Sequence, residues 1–169
     1  HAGGGGDEVL VELALEPFRA AQIFSWVYAR GVVNVQEMTN LSRGTRETLA
    51  KVFTISTPHA VRRERSEDGT EKFLLRLTYN REIESVFIPD SPGNTLCIST
   101  QVGCAMGCGF CLTGKMGLAR NLTAGEIVDQ VLQVQKLAGE RVSNIVVMGM
   151  GEPLANYDNL LRALRIINA

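Results

Sequence analysis

The distribution of cysteine constrains this chain more than any other sequence feature. All four cysteines of the 169 residues lie between positions 97 and 111. Three of them, Cys104, Cys108 and Cys111, follow a C-x3-C-x2-C spacing in a glycine-rich segment. Thiolates this close together repel one another unless a cation lies between them, and glycines let the backbone wrap tightly around a compact centre. Because a disulfide scaffold usually spreads its cysteines to close loops, the crowding indicates a reducing compartment and metal or redox chemistry.

The number of clustered cysteines bears on the kind of metal centre. Electron carriers usually supply a cysteine to each iron of a cubane iron–sulfur cluster, so a set of three leaves one iron open. This spacing, with Phe110 before the last cysteine, resembles the radical S-adenosylmethionine superfamily. There the open iron binds the amino and carboxylate groups of S-adenosylmethionine. Three alternatives stay open: a zinc site or an electron-transfer cluster that adds Cys97 as fourth ligand, and two disulfides.

Composition excludes little beyond membrane spans. The chain is 45% hydrophobic and 21% charged with a net charge of −1, which is ordinary for a soluble globular protein and gives no support for nucleic-acid binding. No run approaches the roughly 18 apolar residues of a membrane span. Residues 1–6 lack the pattern of a signal peptide and are interpreted as a tag, a tail or a cut end. Local basic groups, more often a solvated face than a binding site, are formed by Arg62, Arg63, Arg65, Lys115 and Arg120.

The first third of the chain predicts a helical module. Residues 8–56 contain two to four short helices by apolar pattern, with Pro17 suited to a first helical turn. Gly31 is expected to end one helix, and Asn40 or Ser42 to cap a later one. Residues 59–89 instead predict a three-stranded antiparallel meander, with a hairpin turn at Asp68-Gly69 and a second turn at 79–82.

From about residue 95 the pattern alternates between strand and helix. A short buried strand at 96–99 leads directly into the cysteine loop, and Thr123 begins a capping box for an amphipathic helix that ends near Gly139. An apolar strand at 145–148 precedes a last helix, begun by Asn156 or Asp158. Two successive βα units indicate a parallel sheet or barrel. Two parallel strands cannot close a barrel, so we expect the natural protein to continue past residue 169.

A second motif follows the strand at 145–148. Residues 149–153 read Gly-Met-Gly-Glu-Pro, and ligands of α/β barrels bind at this end of the strands. Glu152 can accept hydrogen bonds from an ammonium group, and in the superfamily a Gly-Glu pair, here Gly151 and Glu152, holds the methionine amine. The alternative is that Glu152 only favours the N-terminus of the next helix through its dipole.

Longer segments resemble the RlmN/Cfr family of radical S-adenosylmethionine RNA methyltransferases. The resemblance extends from residue 16 to the end of the chain, and the segments that carry it are 18–28, 38–42, 96–104, 108–111, 120–127 and 147–156. It implies an α/β fold in three parts: a helical, RNA-docking-like module at 1–56, an antiparallel β extension at 57–93, and the start of a radical S-adenosylmethionine partial (βα)6 barrel at 94–169.

The resemblance also implies an activity. The family methylates C2 of an adenine in 23S rRNA and in tRNA through a methyl-cysteine intermediate, using a 4Fe-4S cluster, S-adenosylmethionine and a reducing donor such as flavodoxin in the cytoplasm. By this likeness Cys104, Cys108 and Cys111 are cluster ligands, Cys97 breaks the protein–RNA link, and Glu84 takes part in proton abstraction. The methyl-carrying cysteine has no counterpart here, so we expect residues 1–169 alone not to turn over.

Other interpretations of these residues and of the function remain open at this point. Cys97 can be an ordinary buried strand cysteine, and Glu84 an ordinary solvated carboxylate. Among functions, the alternatives are the C8-specific branch of the same family, another radical S-adenosylmethionine enzyme such as an activase of a protein glycine, and a non-enzymatic zinc or iron–sulfur protein.

Overall fold

The computed structural model of the chain describes residues 22–23, 25–32, 34–52, 57–90 and 92–168. The chain divides into two compact units, residues 1–56 and residues 57–169. Where the structure describes the chain, no helix is both long enough and apolar enough to cross a membrane.

The described part of the first unit is helical, as the sequence predicts. A π-helical turn, Ser25–Ala29, precedes Gly31, whose φ of +64° ends it, and a 3-10 turn at Val35–Glu37 leads to helix α1, Arg43–Val52. The Ser42 hydroxyl accepts the Thr45 N–H at 3.2 Å, so Ser42 rather than Asn40 caps α1. Among the described residues of this unit, a small core is formed by Ile23, Val35, Met38, Leu41 and Leu49. The predicted role of Pro17 falls outside the described residues.

The second unit is built on one five-stranded sheet. Its strands, in the spatial order β1-β2-β3-β4-β7, are β1 His59–Arg65, β2 Glu71–Arg76, β3 Glu82–Ile88, β4 Asn94–Cys97 and β7 Val142–Val146. The first three form the predicted antiparallel meander, and β3 pairs antiparallel with β4. The predicted hairpin turn is confirmed, because Gly69 has a φ of +87° and the Asp68 carboxylate accepts the Thr70 N–H at 2.9 Å. β4 then pairs in parallel with β7, as expected for successive βα units.

Helix α3, Ala124–Ala138, follows from strong local signals. Both halves of the capping box are present at Thr123 and Glu126, and Gly139 closes the helix at a φ of +72°. Its apolar side packs with one face of the sheet, where Phe73, Leu75, Ile83, Leu96 and Ile127 are fully buried. Helix α4, Tyr157–Ile167, packs beside α3 and has Asn156 at its N-cap position. The structure is therefore the mixed α/β fold that the sequence predicts.

The predicted bounds of two strands are wrong, at both ends of each. β7 ends at Val146 rather than Met148, and the Met148 side chain is 82% exposed. An apolar run marks residues that avoid water, whereas a strand ends where its ladder ends, and the Gly149 N–H already turns back to the Ile98 carbonyl at 3.0 Å. β4 likewise starts at Asn94 and ends at Cys97.

The cysteine loop does not follow β4 directly, contrary to the sequence prediction. A separate two-stranded antiparallel hairpin intervenes, formed by β5, Gln101–Cys104, and β6, Gly117–Asn121, with the short helix α2, Leu112–Lys115, between them. The two strands meet at Gly103, which has a φ of +77° and where a Cβ would lie 1.9 Å from the Gly117 carbonyl oxygen. Glycine is therefore required where the hairpin closes beneath the cysteine loop.

Candidate cofactor site

The three cysteines of the C-x3-C-x2-C motif occupy different environments on one loop. Cys104 is the last residue of β5 and is buried, whereas Cys108 is exposed. Cys111 is partly exposed and lies at the N-cap position of α2. The Met106 N–H points at the Cys104 sulfur from 3.5 Å. At Gly114 a Cβ would meet the Cys108 nitrogen at 3.1 Å, so the turn is tight. This is the close wrapping that the glycine content predicts.

Cys111 is prepared for the thiolate form. The backbone N–H groups of Gly114 and Thr113 hydrogen-bond to its sulfur and hold the pKa of the thiol below its ordinary value. Thiolate is the form that ligates metal, and N–H groups aimed at sulfur are typical of iron–sulfur sites.

The sulfurs themselves are not gathered. Within the described ranges, no group of three or more His, Cys, Asp or Glu side chains is placed so that it could hold a metal ion, and all four cysteines are free thiols. The donor set, three thiols on a glycine loop with N–H groups aimed at two of them, fits the chemistry of a cubane cluster. Ligation by Cys104, Cys108 and Cys111 stays a prediction.

The Gly-Met-Gly-Glu-Pro loop is hydrogen-bonded to the segment that precedes the cysteine loop. The Met150 carbonyl accepts the N–H groups of Thr100 at 2.8 Å and Gln101 at 3.2 Å, and the Met150 N–H donates to the Ser99 hydroxyl at 2.9 Å. The segment between β4 and β5 is thus bonded directly to the turn at Gly151 and Glu152. The two motifs that the sequence analysis singles out therefore meet at the same end of the sheet.

Within this turn, the backbone has little freedom. Gly151 has a φ of +103°, and a Cβ there would lie 2.6 Å from the Gln101 Cβ, so only glycine fits. Glu152 is partly buried and precedes a 3-10 turn, Pro153–Asn156, in which its carboxylate accepts the Leu154 N–H at 3.1 Å. Glu152 therefore caps the turn that follows it, and its carboxylate also lies beside the cysteine segment.

Cys97 is the last residue of β4, an interior strand of the sheet. It pairs with Val86 on β3 and with Val146 on β7, and its side chain is partly exposed. Burial raises the pKa of the Cys97 thiol, which a hydrogen bond from the Met148 backbone only partly offsets. Cys97 is therefore held as a neutral thiol apart from the loop of the other three.

Glu84 lies on the same face of the sheet as Cys97. Val86 and Cys97 are directly opposed, so their side chains lie on the same face of the sheet. Every second residue of a strand points to the same face, so Glu84, two residues before Val86, also projects to that face. Its carboxylate is 3.3 Å from the Lys72 ammonium. The neighbouring Ser85 points the other way, where its hydroxyl donates to Gln130 of α3 at 3.0 Å. The structure thus brings Glu84 and Cys97 to one side of β3 and β4.

Sequence reasoning missed the buried polar residues that hold these loops. Gln130 exchanges two hydrogen bonds with the Ser99 backbone, each of 2.9 Å. The Asn156 amide donates to the carbonyls of Thr100 and Leu122, both at 2.8 Å. The available signal was polar residues that interrupt apolar patterns beside a motif, since buried polar groups must find partners.

The local basic groups are largely used in ion pairs. Arg63 makes two bonds to Glu71, of 2.7 and 2.9 Å, and Arg120 makes two to Glu126, both of 2.7 Å. Arg62 pairs with Glu64. These arginines organise β1 and the start of α3, which agrees with the view that they are mainly structural.

Comparison with known proteins gives matches along most of the chain. A family model described as the ribosomal RNA large subunit methyltransferase N-terminal domain matches residues 7–55, and one described as the radical SAM superfamily matches residues 98–169.

Among curated relatives, a probable dual-specificity RNA methyltransferase RlmN of Bacillus anthracis is 52% identical over 154 residues, 89% of this chain and 42% of its own length. A similarly named protein of Chloroherpeton thalassium is 54% identical over 160 residues, 89% of this chain and 43% of its own length. A radical SAM methyltransferase from Sphaerobacter thermophilus has a crystal structure that superposes with a TM-score of 0.82 at 42% identity, over 96% of this chain and 49% of that one. The chain therefore spans less than half the length of these proteins.

Proposed function

Since the chain belongs to the RlmN family of radical S-adenosylmethionine methyltransferases, we propose that it supplies the cluster-binding and amine-binding part of an enzyme that methylates adenine C2 in 23S rRNA and tRNA. The observation that carries this proposal is the direct bonding of the Met150 backbone to Ser99, Thr100 and Gln101. It connects the turn that would hold the methionine amine to the strand that ends at the first cluster cysteine.

The proposed binding roles follow from chemistry and position. Cys104, Cys108 and Cys111 would hold the cluster as thiolates, and Cys111 is already biased to that form. The Glu152 carboxylate would accept hydrogen bonds from the methionine ammonium, which approaches closely because residue 151 has no side chain. When bound, the cluster and S-adenosylmethionine supply an electron and a carbon radical that abstracts hydrogen.

The remaining steps would use the face of the sheet opposite to α3. Glu84 would accept the proton that leaves adenine C2, and the Cys97 thiol would break the protein–RNA link by forming a disulfide with the methyl-carrying cysteine. Support comes from their shared face of the sheet. Because burial raises the pKa of the Cys97 thiol, this thiol must lose its proton before its sulfur can attack. Lys72 keeps a positive charge beside Glu84.

Partners and compartment belong to the same proposal. The match over residues 7–55 supports an RNA-docking role for the first unit. Reduction of the cluster would need a low-potential donor such as flavodoxin. Four free cysteines, including an exposed Cys108, suit the reducing conditions of the cytoplasm.

A chimera tests the function directly. Residues 1–169 would replace the matching part of the Bacillus anthracis relative, and the product would be loaded anaerobically with iron and sulfide. We expect methylated adenine in 23S rRNA and tRNA, with the methyl group at C2 by mass spectrometry and nuclear magnetic resonance. A chimera with Cys108→Ser is the control that should lose both iron and methylation.

Two outcomes would contradict the proposal. Methylation at C8 would assign the chain to the other branch of the family. A protein that binds zinc through all four cysteines, and shows no S-adenosylmethionine-dependent change in its electron-spin signal, would indicate a non-enzymatic metal protein.

A further inference from the structure

We propose that Gln101 is a positioning residue for S-adenosylmethionine binding, because its buried carboxamide fixes the turn at Gly151 and Glu152 against the strand that ends at Cys104. The inference rests on the proposed function of those residues. Gln101 is 1% exposed, and its side-chain oxygen accepts the Glu152 N–H at 2.8 Å. Its side-chain nitrogen donates to the Asn121 side-chain oxygen at 2.7 Å.

The position of Gln101 on β5 gives this contact its meaning. Gln101 opens the short strand that Cys104 closes, and Asn121 lies opposite it in the β5–β6 register. The Gln101 N–H also donates to the Met150 carbonyl at 3.2 Å. Backbone and side chain of one residue therefore bond to both sides of Gly151. A displacement of the cysteine strand would move the turn with it.

A chain of amides extends the link to the other end of the turn. Asn121 receives the Gln101 amide through its oxygen and directs its nitrogen to the Ala155 carbonyl at 3.4 Å. Glu152 and Ala155 are thus connected through Gln101 and Asn121. The backbone of the residue whose carboxylate would meet the methionine amine is therefore held by two amide side chains, neither of which is a residue proposed to bind a cofactor. Such outer groups tune affinity by orienting the residues that bind.

Close packing makes the arrangement specific to Gln101. The Gly151 α-carbon lies so near to Gln101 that an added Cβ would meet its Cβ, Cγ and nitrogen at 2.6 to 2.8 Å. A different side chain at 101 must either fill the same volume or let the turn shift. If it fills the volume without an acceptor, the Glu152 N–H loses its partner in a partly buried place.

The test compares two glutamines. Gln101→Met keeps the size of the side chain but removes both of its hydrogen bonds. Gln135→Met, in α3, removes the hydrogen bond that the Gln135 side-chain oxygen accepts from the Val142 N–H at 2.9 Å, at the opposite end of β7 from the turn. In the 169-residue chain without cofactors, Q101M should speed hydrogen exchange of the Glu152 amide. Q135M should leave exchange at Glu152 close to that of the parent.

Binding is measured in the cluster-loaded chimera. We expect Q101M to raise the dissociation constant of S-adenosylmethionine about 10-fold or more, while its iron content equals that of the parent. The change of the electron-spin signal on adding S-adenosylmethionine measures this constant. Gln101→Glu retains an acceptor for the Glu152 N–H, and Asn121 can flip its amide to donate to it. Q101E should therefore recover part of the affinity.

The outcomes separate this inference from the function beneath it. If the parent chimera holds iron but shows no response to S-adenosylmethionine, the proposed function fails and this inference fails with it. If the parent responds and Q101M binds equally well, or if Q135M weakens binding as much, only the inference is overturned. Should Q101M not fold, Asn121→Leu decides, because an unchanged dissociation constant in N121L contradicts the role of the amide chain.

Discussion

Glu84 and Cys97 project from the same face of the five-stranded sheet, on the side opposite to the Gln130 contact of α3. They stand on neighbouring antiparallel strands, β3 and β4, and Cys97 is directly opposed to Val86. A carboxylate and a neutral thiol therefore face a common region.

Cys97→Ala in the chimera should stop multiple turnover. In the proposed mechanism this thiol releases the RNA from the protein, so its loss should leave a covalent protein–RNA species, seen as a slowly migrating band of radiolabelled RNA on a denaturing gel. Val146→Ala, which changes the neighbour of Cys97 on β7, is the matched control and should turn over normally. Full turnover in C97A, or no covalent species at all, would contradict the proposed role.

The ion pair of Lys72 should respond unequally to its two carboxylates. The pKa of Lys72 is raised first by its hydrogen bond with Glu84, then by the charges of Glu84 and Glu64. Each carboxylate stabilises the ammonium form, so removing one lowers the Lys72 pKa. Glu84→Gln should lower it more than Glu64→Gln, measured by nuclear magnetic resonance of the Lys72 side chain. The reverse order would show that Lys72 serves Glu64 instead.

Both variants should change stability little. The side chains of Lys72, Glu64 and Glu84 are each more than 40% exposed, and surface ion pairs contribute roughly 0 to 1 kcal/mol. A larger loss on urea unfolding would mean that the substitution disturbs the sheet itself.

Gly103→Ala should destroy the cysteine loop, whereas Gly109→Ala should not. At 103 the backbone has a φ of +77° and a Cβ would sit 1.9 Å from the Gly117 carbonyl oxygen, whereas at 109 nothing lies within 4 Å. The left-handed conformation alone costs about 1–2 kcal/mol for a residue with a Cβ, and the clash adds to it. Iron content after reconstitution and urea unfolding check this pair. Equal iron in both variants would mean that the β5–β6 hairpin is not needed to form the site.

Asp129 should make the chain less stable as the pH rises. Burial, helped by the charge of Glu126, raises the pKa of Asp129 from 3.8 to about 7. Between these values the folded state binds more protons than the unfolded state, so the free energy of unfolding falls as the pH rises through this window. Asp129→Asn removes the cost of ionising this partly buried carboxyl.

The advantage of D129N over the parent should therefore grow from pH 5 to pH 8 and exceed about 1 kcal/mol at pH 8. Urea unfolding at both pH values measures it. An advantage that stays constant, or that is larger at pH 5, would contradict the assignment.

Local signals were enough to predict the elements whose ends are set by neighbouring residues. The capping box at Thr123, the left-handed Gly139 and the Asp68-Gly69 turn are all where the sequence places them. Each of them depends on hydrogen bonds between residues that are only a few positions apart, so the sequence itself contains both partners side by side. The three-strand meander follows because its turns fix its register.

Features that depend on distant partners were not predicted. The β5–β6 hairpin requires the backbones of Gly103 and Gly117 to approach closely. No signal in the sequence near either glycine indicates that the other is its partner. Gln130 is buried because it meets Ser99, 31 positions away along the chain. Met148 looked like strand interior by its apolarity, but the ladder ends before it. The pairings of polar side chains across the fold, including Gln101 with Glu152, are of the same kind.

The pairing of β4 on both sides has a practical consequence for shortened versions of the protein. Its antiparallel neighbour β3 and its parallel neighbour β7 together satisfy the backbone groups of the strand that carries Cys97. A version that started at residue 94 would expose one edge of β4, with its unpaired N–H and C=O groups and an adjacent thiol. Such an exposed edge favours strand pairing with other molecules, and the thiol favours cross-linking between them. The meander therefore protects the sheet from aggregation, whatever else it does.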